Sequence, residues 1–318
     1  VAGEGSWSCS ANLPAQDLLR LTPADSTAIA GIGASRRSAD GQRLYAVNPS
    51  LGALLVFPLD AQGLPGTPEV IVDGATLGST TVAGLAGASM VTLSPDDRHI
   101  YVTGSSANSL VLLRYDADTG THSFGQRLQS GVNGVAGLQG AADVHLGVDG
   151  RFVFVASASS HAIAVFSRSA ESGELAFVER VADGLGTIVP DSNVIRGVRR
   201  LALSADGGRL YAAASLSQAV SSFDIGGDGR LQFRGRLRQD QQGMAALAGA
   251  RALALTPGDG QLYVLGSQAI SRLSPQADGS LVAQAVVSAI PELAAARDLK
   301  LDATGSRLYL ADSAGALF

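Results

Sequence analysis

The sequence contains very little of several residue types, and each shortage excludes a class of protein. Cys9 is the only cysteine, so the chain can form no intramolecular disulfide and no cysteine-based metal site. Trp7 is the only tryptophan, which disfavours an aromatic platform for stacking sugars. Lys300 is the only lysine, and the net charge is −5, so we expect no nucleic-acid partner.

The chain also lacks long hydrophobic stretches and a recognisable leader. No apolar run approaches the ~18 residues that a membrane span needs, so we expect no membrane insertion. The chain begins at Val1 without a signal-like segment and ends at Phe318 inside a predicted strand. Both ends therefore suggest a processed protein or part of a larger multidomain chain.

One phrase occurs in six copies along the chain and dominates the sequence. Its second copy reads Leu-Ser-Pro-Asp-Asp-Arg-His-Ile-Tyr-Val over residues 93–102, and a shortened copy comes first, at residues 38–45. The aromatic markers of the six copies are Tyr45, Tyr101, Phe154, Tyr211, Tyr263 and Tyr309. A period near 50 residues over the whole length predicts a repeat architecture in one domain.

Each copy predicts four short strands separated by turns. In the second copy these are residues 90–93, 99–103, 110–113 and 123–128, rich in β-branched and aromatic residues. Pro and Asp at residues 95–97 and Gly120 mark the turns between strands. Four strands per repeat is the pattern of a propeller blade, so the predicted fold class is an all-β propeller of four-stranded antiparallel blades.

We predict one propeller domain over residues 1–318, with six blades. The six repeats lie near residues 32–72, 88–128, 141–182, 198–236, 250–285 and 296–318. The last repeat supplies only part of a blade, and residues 17–21 stand where its fourth strand is needed, so the N- and C-terminal strands would close the ring. Seven blades are the alternative, if residues 1–13 and flanking sequence form another.

The repeated phrases resemble a known bacterial family. "LSPDDRHIYVTG" at residues 93–104 and "LSADGGRLYAAA" at residues 203–214 are similar to the repeat of YVTN propellers, which are grouped with the 6-phosphogluconolactonase-like, or lactonase-like, propellers. The repeated connector "VAGLAGA" at residues 82–88 resembles that of long bacterial repeat proteins. The resemblance covers nearly the whole chain and implies the fold more than the function, because these are turn and core residues.

The resemblance to the lactonase branch implies a partly preserved site. Members of that branch carry Gly-Pro-Arg-His before the turn and an acidic residue after the second strand. Here the matching residues are Gly-Val-Arg-Arg at 197–200, and Ser215 replaces the acid. Arg199 therefore matches the pattern, whereas the histidine and the carboxylate that could activate water are missing at these positions.

Aligning the first strands on the leucine before each turn gives three columns of residues that approach the central channel. Three positions before the leucine lie Met90, Asp143, Arg200, Ala252 and Asp298. One position earlier lie Ser89, Ala142, Arg199, Arg251 and Arg297, and the position just before the leucine carries Thr92, His145, Ala202, Ala254 and Lys300. Arg36 and Arg37 fall in the shortened first copy.

These columns predict an anion-attracting mouth. We take Arg199, Arg200, Arg251, Arg297 and Asp298 as the candidate ligand-binding residues, because guanidinium groups bind carboxylates and phosphates in a bidentate manner. The alternative is that the arginines form ion pairs with Asp143 and Asp298 between blades and serve only stability.

Asp143 and His145 are the candidate catalytic pair. They alternate on one strand, so both side chains point to the same face, and a carboxylate there can orient an imidazole as a base. The alternative is a hydrogen-bonded channel histidine without a catalytic role. No cofactor and no metal site is expected, since the other histidines share no ligand spacing.

We therefore expect a binding or scaffold module of an exported or surface bacterial protein. Its partner at the central funnel would be a protein, a peptide or a small anion. The alternative function is a lactonase-like hydrolase that acts on a lactone or a sugar phosphate in the same channel, and a third possibility is a structural spacer without a site.

Overall fold

The protein is a β-propeller of antiparallel sheets, seen in a computed structural model. The structure describes residues 31–183, 193–239, 241, 246–288 and 291–312. The segments 17–21 and 313–318, which we predicted to close the ring, lie outside the described residues. The described part contains five four-stranded sheets and a two-stranded part of a sixth, as well as one small hairpin.

The first two blades follow the predicted strand pattern closely. Blade 1 consists of β1 (Ala34–Arg37), β2 (Arg43–Asn48), β3 (Ala53–Pro58) and β4 (Glu69–Val72). A small hairpin, β5 (Thr76–Leu77) and β6 (Thr80–Thr81), connects it to the next blade. Blade 2 consists of β7 (Ala88–Leu93), β8 (His99–Gly104), β9 (Ser109–Asp116) and β10 (Thr121–Gln129).

The remaining blades repeat the same order of strands. Blade 3 consists of β11 (Ala141–Leu146), β12 (Phe152–Ser157), β13 (Ala162–Arg168) and β14 (Leu175–Ala182). Blade 4 consists of β15 (Val198–Leu203), β16 (Arg209–Ala214), β17 (Ala219–Ile225) and β18 (Leu231–Arg238). Blade 5 consists of β19 (Ala252–Leu255), β20 (Leu262–Leu265), β21 (Ile270–Pro275) and β22 (Leu281–Val287). Blade 6 is described only for β23 (Ala296–Leu301) and β24 (Leu308–Asp312), after a 3₁₀ turn at Pro291–Ala294.

The core lies between neighbouring blades. Each pair of adjacent blades shares one buried apolar cluster, as where Phe154 and Val165 of blade 3 pack with Leu201 and Leu210 of blade 4. In blades 2 and 3 the second and third strands are buried at most residues, because both faces of each sheet are covered by a neighbouring blade. The predicted fold class, an all-β propeller, is confirmed.

The first strand of each blade lines the centre of the ring. These inner strands, β1, β7, β11, β15, β19 and β23, contact one another in chain order. Side chains at equivalent positions of the six strands therefore lie at similar depths in the channel, and this arrangement brings the candidate site together.

Among the described residues no helix is long and apolar enough to cross a membrane.

Candidate functional site

The hydrogen-bonding register aligns the inner strands residue by residue. The repeat aromatic of each second strand lies opposite the residue just before the repeat leucine, as in Phe154 opposite His145 and Tyr309 opposite Lys300. The corresponding residues of the six inner strands are Arg36, Thr92, His145, Ala202, Ala254 and Lys300. We call these six residues the His145 ring.

A cavity of about 320 Å³ lies between the inner strands. All six inner strands contribute to its wall, through the charged residues Arg36, Asp143, His145, Arg200, Asp298 and Lys300 as well as apolar residues such as Met90 and Leu253. It reaches the turns beyond β19 and β23, where Pro257 and Asp302 line it. A cavity of this size, with a few convergent polar groups, is the usual form of a small-molecule site.

A β-bulge decides which predicted arginines reach the cavity. In β15 the register shifts between Val198 and Arg200, and β23 shifts in the same way between Ala296 and Asp298. The extra residues, Arg199 and Arg297, are left out of the ladder and are exposed. Arg200 and Asp298 therefore line the cavity, whereas Arg199 and Arg297 do not.

The arginines that do not line the cavity lie where the inner strands begin, away from the Pro257 and Asp302 turns. Arg251 donates from Nη2 to the carbonyl of Leu293 at 2.8 Å, and burial together with the Arg297 cation lowers its pKa. Ser215, where the lactonase pattern has an acid, donates to the carbonyl of Gly197 at 3.1 Å. This end of the ring thus gathers Arg199, Arg251 and Arg297 without a base at the Ser215 position.

Asp143 is buried in the cavity wall and is held by two backbone N–H groups. It is 1% exposed and accepts hydrogen bonds from the backbone N–H of Leu201 at 2.7 Å and of Val144 at 3.0 Å. Its Oδ2 lies 3.3 Å from Nε2 of His145. Burial alone would raise the pKa of Asp143, but His145, the Arg200 charge and the Leu201 N–H lower it to about 2.

The carboxylate fixes the orientation of His145. Because Asp143 is ionised, it accepts a hydrogen bond from Nε2–H of His145, which leaves the lone pair on Nδ1. The imidazole is 23% exposed and lines the cavity, so it can accept a proton from a bound molecule. The predicted Asp143 and His145 pair is therefore brought together inside the cavity.

Three cations share the cavity with this pair. Arg200 donates from Nη1 to the carbonyls of Ala142 and Arg199, and its buried Nε has no partner in the described part of the chain. Lys300 lies 3.8 Å from Asp298. Arg36 has no ion-pair partner among the described residues.

The site residues predicted from the sequence did not include Arg36, Lys300 or Asp302. Two of them were recognisable, because Lys300, the only lysine, falls in the His145 column and Arg36 falls in the shortened copy. Asp302 follows the repeat leucine in blade 6 and has no such signal. No cluster of three or more metal-ligating side chains occurs within residues 31–312 outside the undescribed gaps.

The fold and the site together define a propeller with a polar cavity at its centre. Residues 36–186 match the family described as lactonase, seven-bladed β-propeller. The resemblance to lactonase-like propellers that the repeats predicted is thereby confirmed. The ring of the described residues contains five complete blades and part of a sixth, so the blade number stays a prediction.

One curated protein with a similar sequence and two solved structures with a similar fold carry lactonase names. A 6-phosphogluconolactonase of Bacillus subtilis is 33% identical over 105 residues, which span 33% of this chain and 30% of that protein. The solved structures include a provisionally assigned 6-phosphogluconolactonase from Bacteroides fragilis, at TM-score 0.67 and 18% identity, covering 87% of this chain and 76% of that one. The periplasmic gluconolactonase of Pseudomonas aeruginosa has TM-score 0.64 and 18% identity, covering 80% and 69% of the two chains.

These comparisons correct our main functional prediction. A binding or scaffold module is contradicted because the family match and the named relatives are lactonases, which favour the hydrolase alternative. The prediction of a binding module rested on the histidine and the carboxylate missing near Arg199, although Asp143 and His145 had been named as a candidate catalytic pair.

Proposed function

We propose that the protein is a lactone hydrolase whose active site is the central cavity. The observation that carries the proposal is the Asp143 and His145 pair, held on β11 with Nε2 of His145 3.3 Å from the carboxylate. The lactonase names of the relatives support the reaction class. The cavity wall also offers the cations that an acyl-transfer reaction needs.

In the first step, His145 acts as the general base. Water attacks the lactone carbonyl carbon while Nδ1 of His145 takes up one of its protons, giving an imidazolium ion and a tetrahedral oxyanion. Asp143 does not change its protonation state. Its charge holds the ring in the required tautomer and stabilises the imidazolium.

In the second step, the ring opens. The tetrahedral intermediate collapses, the bond between the carbonyl carbon and the ring oxygen breaks, and His145 returns its proton to the departing alkoxide. Arg36 and Lys300 occupy the same ring as His145 and supply donors for the negative oxygen. The product is a hydroxy acid, and its carboxylate has the opposite charge to these cations.

Replacement of His145 tests this assignment. We expect His145→Asn to lower kcat/KM for hydrolysis of glucono-1,5-lactone by about 100-fold or more, because general-base catalysis typically contributes 10²–10⁴-fold. The rate is measured by continuous pH-indicator titration of the acid released, with the spontaneous hydrolysis subtracted.

The matched control lies at the opposite end of the inner strands. Arg199→Ala removes a predicted arginine that does not line the cavity, so we expect less than a threefold change. The reverse pattern, with Arg199→Ala inactive and His145→Asn active, would place the reaction at the strand starts. No turnover above background in the unaltered protein would reject the hydrolase altogether.

Export is a further part of the proposal. It follows from the resemblance of the repeats, and the P. aeruginosa structure, named as periplasmic, is an example of a similar fold outside the cytoplasm. Fractionation of the native host with an antibody to this chain tests the location.

A further inference from the structure

We propose that the cavity selects uncharged sugar lactones and discriminates against their phosphate esters. This inference rests on the proposed lactone hydrolysis and names the substrate class of the same site.

The formal charges of the arginine, lysine and aspartate side chains in the cavity wall sum to zero. The cations are Arg36, Arg200 and Lys300, and the carboxylates are Asp143, Asp298 and Asp302. A phosphate monoester brings about −1.5 to −2 charges at pH 7 and three strong acceptor oxygens. Its binding in a site of balanced charge requires cations that are not already neutralised.

Two of the three cations already interact with groups of the protein. Lys300 lies 3.8 Å from Asp298, and both lie on β23. Arg200 donates to two backbone carbonyls from Nη1, and its charge lowers the pKa of the fully buried Asp143 carboxylate. Arg200 forms no ion pair within the described residues, but its charge is partly balanced by Asp143. Arg36 has no ion-pair partner among the described residues, and one such cation does not balance a dianion.

Asp302 carries a negative charge at the cavity wall at neutral pH. Desolvation raises its pKa, but the backbone N–H of Arg307 and the hydroxyls of Thr304 and Ser306 lower it to about 2. The carboxylate is held in a turn by these contacts, at 3.1 Å from the Arg307 nitrogen and 2.9 Å from the Thr304 hydroxyl. A phosphate that approaches this part of the cavity is therefore repelled.

The polar groups that remain suit a neutral polyhydroxylated ring. The buried Nε of Arg200 has no acceptor in the described structure, and Arg36 can donate to a carbonyl or hydroxyl oxygen. The carboxylates of Asp298 and Asp302 can accept hydrogen bonds from sugar hydroxyls. The volume of about 320 Å³ accommodates a six-carbon lactone.

Binding of a stable analogue tests the charge selection without requiring turnover. We expect the neutral glucono-1,5-lactam to bind at least tenfold more tightly than its 6-phosphate, measured by isothermal titration calorimetry at pH 7 and 0.15 M salt. Equal or tighter binding of the 6-phosphate would overturn the proposal, as would the failure of both compounds to bind.

Two variants test whether carboxylates of the cavity wall cause the preference for the neutral lactam. Asp302→Asn removes one repelling charge, and Asp298→Asn releases Lys300, so each should narrow the preference for the neutral lactam by threefold or more. Asp118→Asn, on the exposed outer hairpin of blade 2, changes the net charge equally and should leave the ratio unchanged. Two Asp variants are used because the Asp302 turn contributes to folding, and circular dichroism checks that each variant is folded.

The outcomes separate the two proposals. Lactam binding with the expected charge preference but no hydrolysis of glucono-1,5-lactone would reject the proposed function alone. Hydrolysis of glucono-1,5-lactone 6-phosphate with a kcat/KM equal to or above that of the neutral lactone would reject the charge selection alone.

Discussion

At the residue scale, the site depends on one buried carboxylate that joins two blades. Asp143 belongs to β11 of blade 3, yet its Oδ2 accepts the backbone N–H of Leu201 in blade 4 and also contacts His145. A buried charge is tolerated only when hydrogen bonds and opposite charge compensate its desolvation. Asp143 therefore acts both on the imidazole and on the contact between blades.

The first prediction concerns stability in acid. The folded pKa of Asp143, about 2, lies below the ordinary aspartate value of 3.8, so the ionised group stabilises the fold above pH 3.8. This stabilisation is lost as the pH falls towards 2. The difference corresponds to about 2 kcal/mol, since one pKa unit is ~1.4 kcal/mol. Asp143→Asn should remove this pH-dependent part of the free energy of unfolding.

Urea unfolding at steps between pH 6 and pH 2.5 measures this effect. The stability difference between the unaltered protein and Asp143→Asn should shrink as the pH falls. The variant Asp118→Asn, at an exposed residue, serves as the control for the loss of one carboxylate. A difference for Asp143→Asn that is independent of pH would show that its carboxylate is not preferentially ionised in the folded state.

At the element scale, hydrogen bonds of the outer hairpin of blade 3 connect it to blade 2. The hairpin between β13 and β14 of blade 3 places the carbonyl of Gly173 2.7 Å from the hydroxyl of Tyr101 in blade 2, which donates to it. Arg168 donates to Tyr101 from Nε and to Nδ1 of His99 from Nη2, both at 2.8 Å. Burial and the Arg168 charge together lower the pKa of His99, so this histidine stays neutral as an acceptor.

Two glycines at equivalent hairpin positions give a matched test of this contact. Gly120 and Gly173 have φ of 69° and 73°, but a Cβ on Gly120 meets nothing within 4 Å, whereas one on Gly173 would lie 2.1 Å from the His99 ring. Gly120→Ala should cost about 1–2 kcal/mol from the left-handed backbone alone. Gly173→Ala should cost about 1–3 kcal/mol more because the hairpin must move away from blade 2.

Thermal unfolding followed by circular dichroism compares the two variants. Equal losses for Gly120→Ala and Gly173→Ala would show that the hairpin of blade 3 does not dock on blade 2 as closely as described.

The sequence predicts elements well where the information is local. Each repeat encodes its own hairpins, and the predicted third strand over residues 162–166 falls within β13. The placement of His145 opposite Phe154 follows from the same repeat. The bulge in β15 that separates Arg199 from Arg200 cannot be read from the alternation of apolar and polar residues. Both arginines were therefore predicted as ligand-binding residues.

At the scale of the whole molecule, the proposed active site is formed by several blades rather than by any one of them. His145, Arg36 and Lys300 come from three blades, and only the shared register of the inner strands brings them to one level. Contacts between blades have no local signal in the sequence, since residues such as Asp143 and Leu201 are 58 positions apart. This is why the sequence identified the residue columns of the inner strands but not which of their arginines line the central cavity.

A crystal structure with bound glucono-1,5-lactam would show directly where a lactone binds. We expect the lactam in the central cavity, with its carbonyl carbon facing Nδ1 of His145 and its oxygens within hydrogen-bond distance of Arg36 or Lys300. A lactam bound instead at the strand starts, against Arg199 and Arg297, with the cavity unoccupied, would contradict this expectation.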